Sequence, residues 1–80
     1  QNTINAFQNS IQRYGQLNDQ SKLVNVLMKL GEFLDGQSQY ENSIATYQQA
    51  LEVADEISDF KSKVDSLCGL GWSYRWLGRY

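Results

Sequence analysis

The sequence predicts an all-α protein of four helices arranged as antiparallel hairpins, and three observations carry that prediction. The first is an internal repeat. Residues 41–80 lie over residues 1–40 without a gap, and Asn2/Asn42, Ile4/Ile44, Gln8/Gln48, Asp19/Asp59, Val24/Val64, Leu27/Leu67, Leu30/Leu70, Gly31/Gly71 and Tyr40/Tyr80 are identical. Between them stand conservative pairs: Thr3/Ser43, Phe7/Tyr47, Ser10/Ala50, Ile11/Leu51 and Leu17/Ile57. A fixed period of about 20 to 50 residues marks an array in which each unit covers a neighbour's apolar face. The second observation is that apolar residues recur at steps of three and four, which gathers them on one face of a helix. The third is the absence of proline, so that nothing forces a kink.

The first helix is expected over about residues 1–17, on the stripe Ile4, Phe7, Ile11, Tyr14 and Leu17. Asp19 then stands where a carboxylate accepts from the free amides of a helix start, and the second helix follows over 20–36 with Val24, Leu27, Leu30 and Leu34 on its stripe. Gly36 suits the left-handed turn that closes it. Ser38 with Glu41 three residues on has the form of a capping box for a third helix over 40–58, whose stripe is Tyr40, Ile44, Tyr47, Leu51, Ala54 and Ile57. Asp59 repeats the role of Asp19 for a fourth helix over 60–77, carrying Val64, Leu67, Leu70, Tyr74 and Leu77 and closed by Gly78. Links of two to four residues turn consecutive helices back on each other. Gly31 and Gly71, in equal register inside helices, each cost up to about 1 kcal/mol against Ala, and close approach of a partner helix through Ser43 and Ala50 is the expected compensation.

Eighty residues make one small domain, and such a chain buries only roughly 60 to 65 per cent of its unfolded surface. Every large apolar side chain therefore counts. Seven basic and nine acidic residues leave a net charge of −2, all of it in the second half, which excludes the basic footprint of a nucleic-acid binder. Cys68 has no second cysteine to pair with, which favours a reducing, cytoplasmic setting. No apolar run approaches the roughly 20 residues of a membrane span. The chain opens with Gln and stops just after a turn signal, as a piece of something longer would.

The residues now assembled resemble the tetratricopeptide repeat. Leu67, Leu70-Gly71 and Tyr74 match the first-helix pattern of that family, and Leu27, Leu30-Gly31 and Leu34 match it in the earlier copy. Tyr40, Ser43, Tyr47 and Ala50 match the second-helix pattern, which Thr3, Phe7 and Ser10 repeat more weakly. The usual period is about 34 residues and closes with proline. Here the period is forty, with Asp55 or Gly15 near the expected proline, which is similar to the lengthened variant of scaffold proteins and bacterial regulators. The resemblance covers the whole chain and implies a right-handed α-solenoid fragment. Residues 1–17 would be the second helix of one repeat, 20–58 a complete repeat, and 60–77 the first helix of the next.

The same resemblance implies a non-catalytic protein-interaction module, a scaffold or adaptor whose inner groove receives a peptide or helix of a partner. Its alignment puts Asn25, Met28, Glu32 and Asp35 on that inner face, and after them Asp65, Cys68, Trp72 and Arg75, with Trp76 a marginal candidate that a next helix would cover instead. Trp and Arg are typical of interaction hot spots. Some family members grip a terminal carboxylate with Lys and Asn at these positions. Met28, Glu32, Cys68 and Trp72 stand there instead of such a clamp, and a groove lined with Glu32, Asp35 and Asp65 is expected to prefer a partner of basic or apolar character.

Two alternatives accompany this reading. One is self-association, the open fourth helix of one copy receiving the first helix of the next and shielding Tyr74, Trp76, Leu77 and Tyr80. The other is a regulatory domain that senses a peptide or small ligand. Catalysis has no support: histidine is absent, so neither Cys68 nor any serine has an imidazole partner, and no phosphate loop is present. No cofactor is implied. The acidic run Glu52, Asp55, Glu56 and Asp59 reads as a solvated helix face that lacks the turn a calcium loop needs, and Lys63 is placed to pair with Asp59.

Overall fold

The computed structural model describes residues 2–78. It contains α1 (Asn2–Leu17), α2 (Gln20–Gly36), α3 (Tyr40–Glu56) and α4 (Phe60–Leu77), and no strand among the described residues. Consecutive helices run antiparallel: Tyr47 of α3 meets Gly69 of α4 while Ser43 meets Ser73, so one index rises as the other falls.

The three links are built alike at a spacing of twenty residues. Each holds one residue in the left-handed region: Asn18 at φ 58°, Ser38 at 61° and Ser58 at 56°. The next amide reaches back five residues, from Asp19 to the Tyr14 carbonyl at 3.0 Å, Gln39 to Leu34 at 2.9 Å and Asp59 to Ala54 at 2.9 Å. This is the Schellman closure, and its last residue already serves as the N-cap of the following helix.

Asp19 and Asp59 cap as the sequence predicts, accepting from the amides of Lys22 at 3.3 Å and Ser62 at 3.2 Å. The Ser62 amide, then its hydroxyl at 2.8 Å, hold the Asp59 carboxyl below its ordinary pKa. Other local expectations are corrected. Ser38 forms no capping box, because the left-handed turn takes its backbone and makes Gln39 the N-cap of α3, without a side-chain cap bond. Gly36 stays helical for the same reason, the turn falling two residues later, whereas Gly78 does take φ 85°. The third helix ends at Glu56 and not at 58, since Ser58 is that turn. Lys63 pairs with Asp55 of α3 at 2.8 Å instead of Asp59, whose oxygens Ser62 already occupies.

Val24, Leu27, Leu30 and Leu34 of α2, Ile44, Tyr47, Ala50 and Ala54 of α3, and Leu70 of α4 form the core. Each large one contributes about 1.5 to 3 kcal/mol by leaving water. Both α1 and α3 pack on α2, and α4 packs on α3 and along α2, while the backbones of α1 and α3 stay further apart. On one side, therefore, α2 and α4 approach each other directly.

The two copies differ in how closely their helices approach. Toward α3, α4 presents Ser62, Ser66, Gly69 and Ser73, small enough for Tyr47 to lie in the space a Gly69 side chain would need. The corresponding residues of α2 are Lys22, Val26, Lys29 and Phe33, and the Phe33 ring meets that of Phe7 at 5.9 Å. Gly31 is covered as expected, by Tyr47 and by Ser43, whose Oγ donates to its carbonyl at 3.0 Å. Gly71 is not: nothing lies within 4 Å of a side chain built there, because α4 turns Gly69 and not Gly71 toward α3.

Candidate functional site

A groove of about 660 Å³ lies between α2 and α4. From α2 come Asn25, Met28, Glu32 and Asp35, which the heptad-like spacing of one helix face places together. From α4 come Asp65, Cys68 and Trp72. Of the residues expected on this face, Arg75 alone stays off it. It lies beyond Trp72 in a small hollow with Cys68 and Gly71, its guanidinium carbon 5.7 Å from the Trp72 ring.

Three lining residues, Lys29, Gly69 and Tyr47, were not expected in the groove from the sequence. Trp76, a marginal groove candidate in the sequence, stacks on Trp72 at 6.3 Å and 19° and lines the groove with it. These indoles are 54 and 61 per cent exposed, a large apolar surface for so small a domain. Their i, i+4 spacing is the signal that would have joined them. Lys29 follows Met28 at the rim, and Gly69 opens the wall through which Tyr47, read from the sequence as a core residue, reaches the floor.

The remaining self-association candidates fall elsewhere. Tyr74 and Leu77 are half-buried against Ile44, Tyr47 and Leu70, and Tyr80 lies outside the described residues.

Polar chemistry at the floor ties three helices together. Ser73 of α4 donates to the Asp35 carboxylate of α2 at 2.9 Å, and its oxygen lies 2.9 Å from Ser43 Oγ of α3. Both hydroxyls are fully buried. Two hydroxyl protons cannot serve three short contacts at once. The charged Asp35 takes the Ser73 proton, and Ser43 donates to the Gly31 carbonyl or to Ser73. Burial, then the nearby charges of Asp35 and Glu32, push the Tyr47 phenol up to about 12, so that it is a neutral hydroxyl at any physiological pH.

Glu32, Asp35 and Asp65 outnumber the single lysine of the lining. Asp65 is engaged by Lys61 at 3.6 Å along the exposed face, and Glu32 has no ion-pair partner among the described residues. Among the described residues no cluster of three His, Cys, Asp or Glu side chains is arranged to hold a metal ion. Cys68 is exposed and unpaired. No helix of the described chain is long and apolar enough to cross a membrane. Neither a protein-family model, a curated protein nor a solved structure matches this sequence.

Proposed function

We propose that this chain is a non-catalytic protein-interaction module of the tetratricopeptide type, a fragment of a right-handed α-solenoid that presents the α2/α4 groove to a partner segment. The observation that carries the reading is the exposed stacked pair Trp72 and Trp76 on a groove whose other wall is acidic. Stacked indoles offer a rigid apolar platform with little side-chain entropy to lose, and a carboxylate wall favours a cation beside it. The partner is a peptide or helix that alternates apolar side chains with Lys or Arg. Display on a preformed surface is the whole mechanism, and the unpaired Cys68 thiol suits a reducing, cytoplasmic setting.

Tryptophan emission tests it directly. A helix-forming Lys/Leu peptide is expected to shift the emission saturably, and its Glu/Leu counterpart to leave it unmoved. Trp72→Ala is expected to weaken the Lys/Leu complex about tenfold or more with helicity intact, as hot-spot truncation costs about 1 to 2 kcal/mol or more. Equal responses to both peptides would overturn the assignment.

A further inference from the structure

One stripe of the repeat meets two different fates. On α2, the stripe Val24, Leu27 and Gly31 is sealed: Val24 and Leu27 are 0 and 3 per cent exposed, Tyr47 of α3 covers Gly31, and Ser43 Oγ of α3 donates to the Gly31 carbonyl at 3.0 Å. The same positions of α4 are Val64, Leu67 and Gly71, and they are open. Val64 and Leu67 are 55 and 52 per cent exposed, nothing stands within 4 Å of a side chain built on Gly71, and Phe60 at the head of the stripe is 77 per cent exposed.

The other half of that joint is open as well. By the internal repeat α1 is the copy of α3, with Thr3 for Ser43, Ala6 for Thr46, Phe7 for Tyr47 and Ser10 for Ala50. It packs on α2 alone, and Thr3 and Ala6 are exposed where Ser43 and Thr46 are buried.

We infer that α1 of a second copy docks on the Phe60, Val64, Leu67 and Gly71 stripe of α4, reproducing between two chains the joint that α3 makes with α2 inside one. In it the Thr3 hydroxyl stands where Ser43 does and donates to the Gly71 carbonyl. The Phe7 ring covers Gly71 as Tyr47 covers Gly31. Phe7 keeps its contact with Phe33, just as Tyr47 touches Gly31 on one side and Gly69 on the other. The described residues carry one donor face, on α1, and one acceptor face, on α4, so the contact between copies of these 80 residues runs head to tail and lengthens with concentration instead of stopping at a dimer. The stripe itself lies on a face of α4 apart from the groove lining.

Light scattering and sedimentation of the 80-residue chain from micromolar to millimolar concentration test it, with circular dichroism to confirm that each variant is folded. The wild-type mass is expected to rise steadily with concentration. Leu67→Lys spoils only the acceptor end and Ala6→Glu only the donor end, and both changes fall on exposed positions. Each variant alone is expected to remain a monomer. Mixed, they are expected to form a one-to-one dimer that stops there, since each retains the end that the other lacks. Val64→Glu is a second acceptor variant with the same expected result. A wild-type chain that stays monomeric throughout, a Leu67→Lys chain that still assembles, or folded variants that fail to complement each other would overturn the proposal.

Discussion

Tyr47 occupies the space that a side chain on Gly69 would need, and its other edge lies 2.7 Å from where a Gly31 side chain would begin. One aromatic ring thus sets the approach of three helices. A glycine inside a helix costs up to about 1 kcal/mol against Ala. At these two positions that cost is offset by burying a full aromatic ring between α2 and α4.

Gly69→Ala is therefore expected to destabilise the fold despite its better helix propensity. Tyr47 is locked on both sides, so the new methyl forces a backbone shift of the kind that costs about 1 to 3 kcal/mol. Gly71→Ala, with open space around it, is expected to gain up to about 1 kcal/mol from propensity alone. Thermal melts at low concentration separate the two, and equal effects would show that Tyr47 does not set the helix spacing.

Two buried serines of α4 are expected to answer oppositely. Ser73→Ala leaves the Asp35 carboxylate without its buried donor and should cost about 1 to 3 kcal/mol. Ser66 is fully buried and its hydroxyl has no partner, so Ser66→Ala removes an unmet polar group and should be neutral or stabilising. A double-mutant cycle with Asp35→Asn then measures the coupling to Ser73; no coupling would mean that the carboxylate does not depend on this hydroxyl.

The repeat, the helix number and the helix bounds other than the end of α3 were legible because they rest on local signals. Apolar spacing fixes a helical face, and an aspartate before such a stripe caps it, as Asp19 and Asp59 do. Most of the groove lining was legible for the same reason, since residues of one face stay together wherever the helix goes. What was not legible depends on how each copy meets its neighbour. Gly31 and Gly71 are equivalent in sequence, yet only Gly31 is covered, because α4 has no following helix within the described residues. Gly69 has Lys29 as its counterpart, so nothing in the repeat marked it as the point of closest approach. Links were misjudged where a serine took the left-handed turn that glycine usually takes, which moved the closure of α2 from Gly36 to Ser38.

That left-handed serine invites a stabilising change. A residue with a β-carbon pays about 1 to 2 kcal/mol in this region, and glycine does not. Ser58→Gly is expected to raise stability by about 0.5 to 1 kcal/mol, the gain being reduced by the larger entropy of glycine in the unfolded chain. Ser38→Gly should behave alike. Gly36→Ala, at a helical position with nothing nearby, should also stabilise, which separates the true turn residue from the apparent one in a set of denaturant titrations.

The Tyr47 hydroxyl gives the fold an alkaline limit whose sign follows from linkage. Burial, Asp35 and Glu32 raise its pKa from 10.0 to about 12 in the folded chain. Above the unfolded value, the unfolded chain loses this proton while the folded chain keeps it. The unfolded state then binds fewer protons, so stability is full below about pH 10 and falls as pH rises toward 12. At about 1.4 kcal/mol per pH unit, the rise from 10.0 to about 12 sets an upper bound of about 3 kcal/mol, which solvent screening of the hydroxyl reduces, still a large share of the stability of so small a domain. Tyr47→Phe keeps the ring between the two glycines and removes the ionisable group. Its stability is expected to fall less than that of the wild type across this window, and the wild-type minus variant absorbance near the phenolate band should titrate late. Glu32→Gln should move that titration earlier. A Tyr47 phenol that ionises at the ordinary value in the folded chain would mean that its hydroxyl is open to water, and the floor of the groove with it.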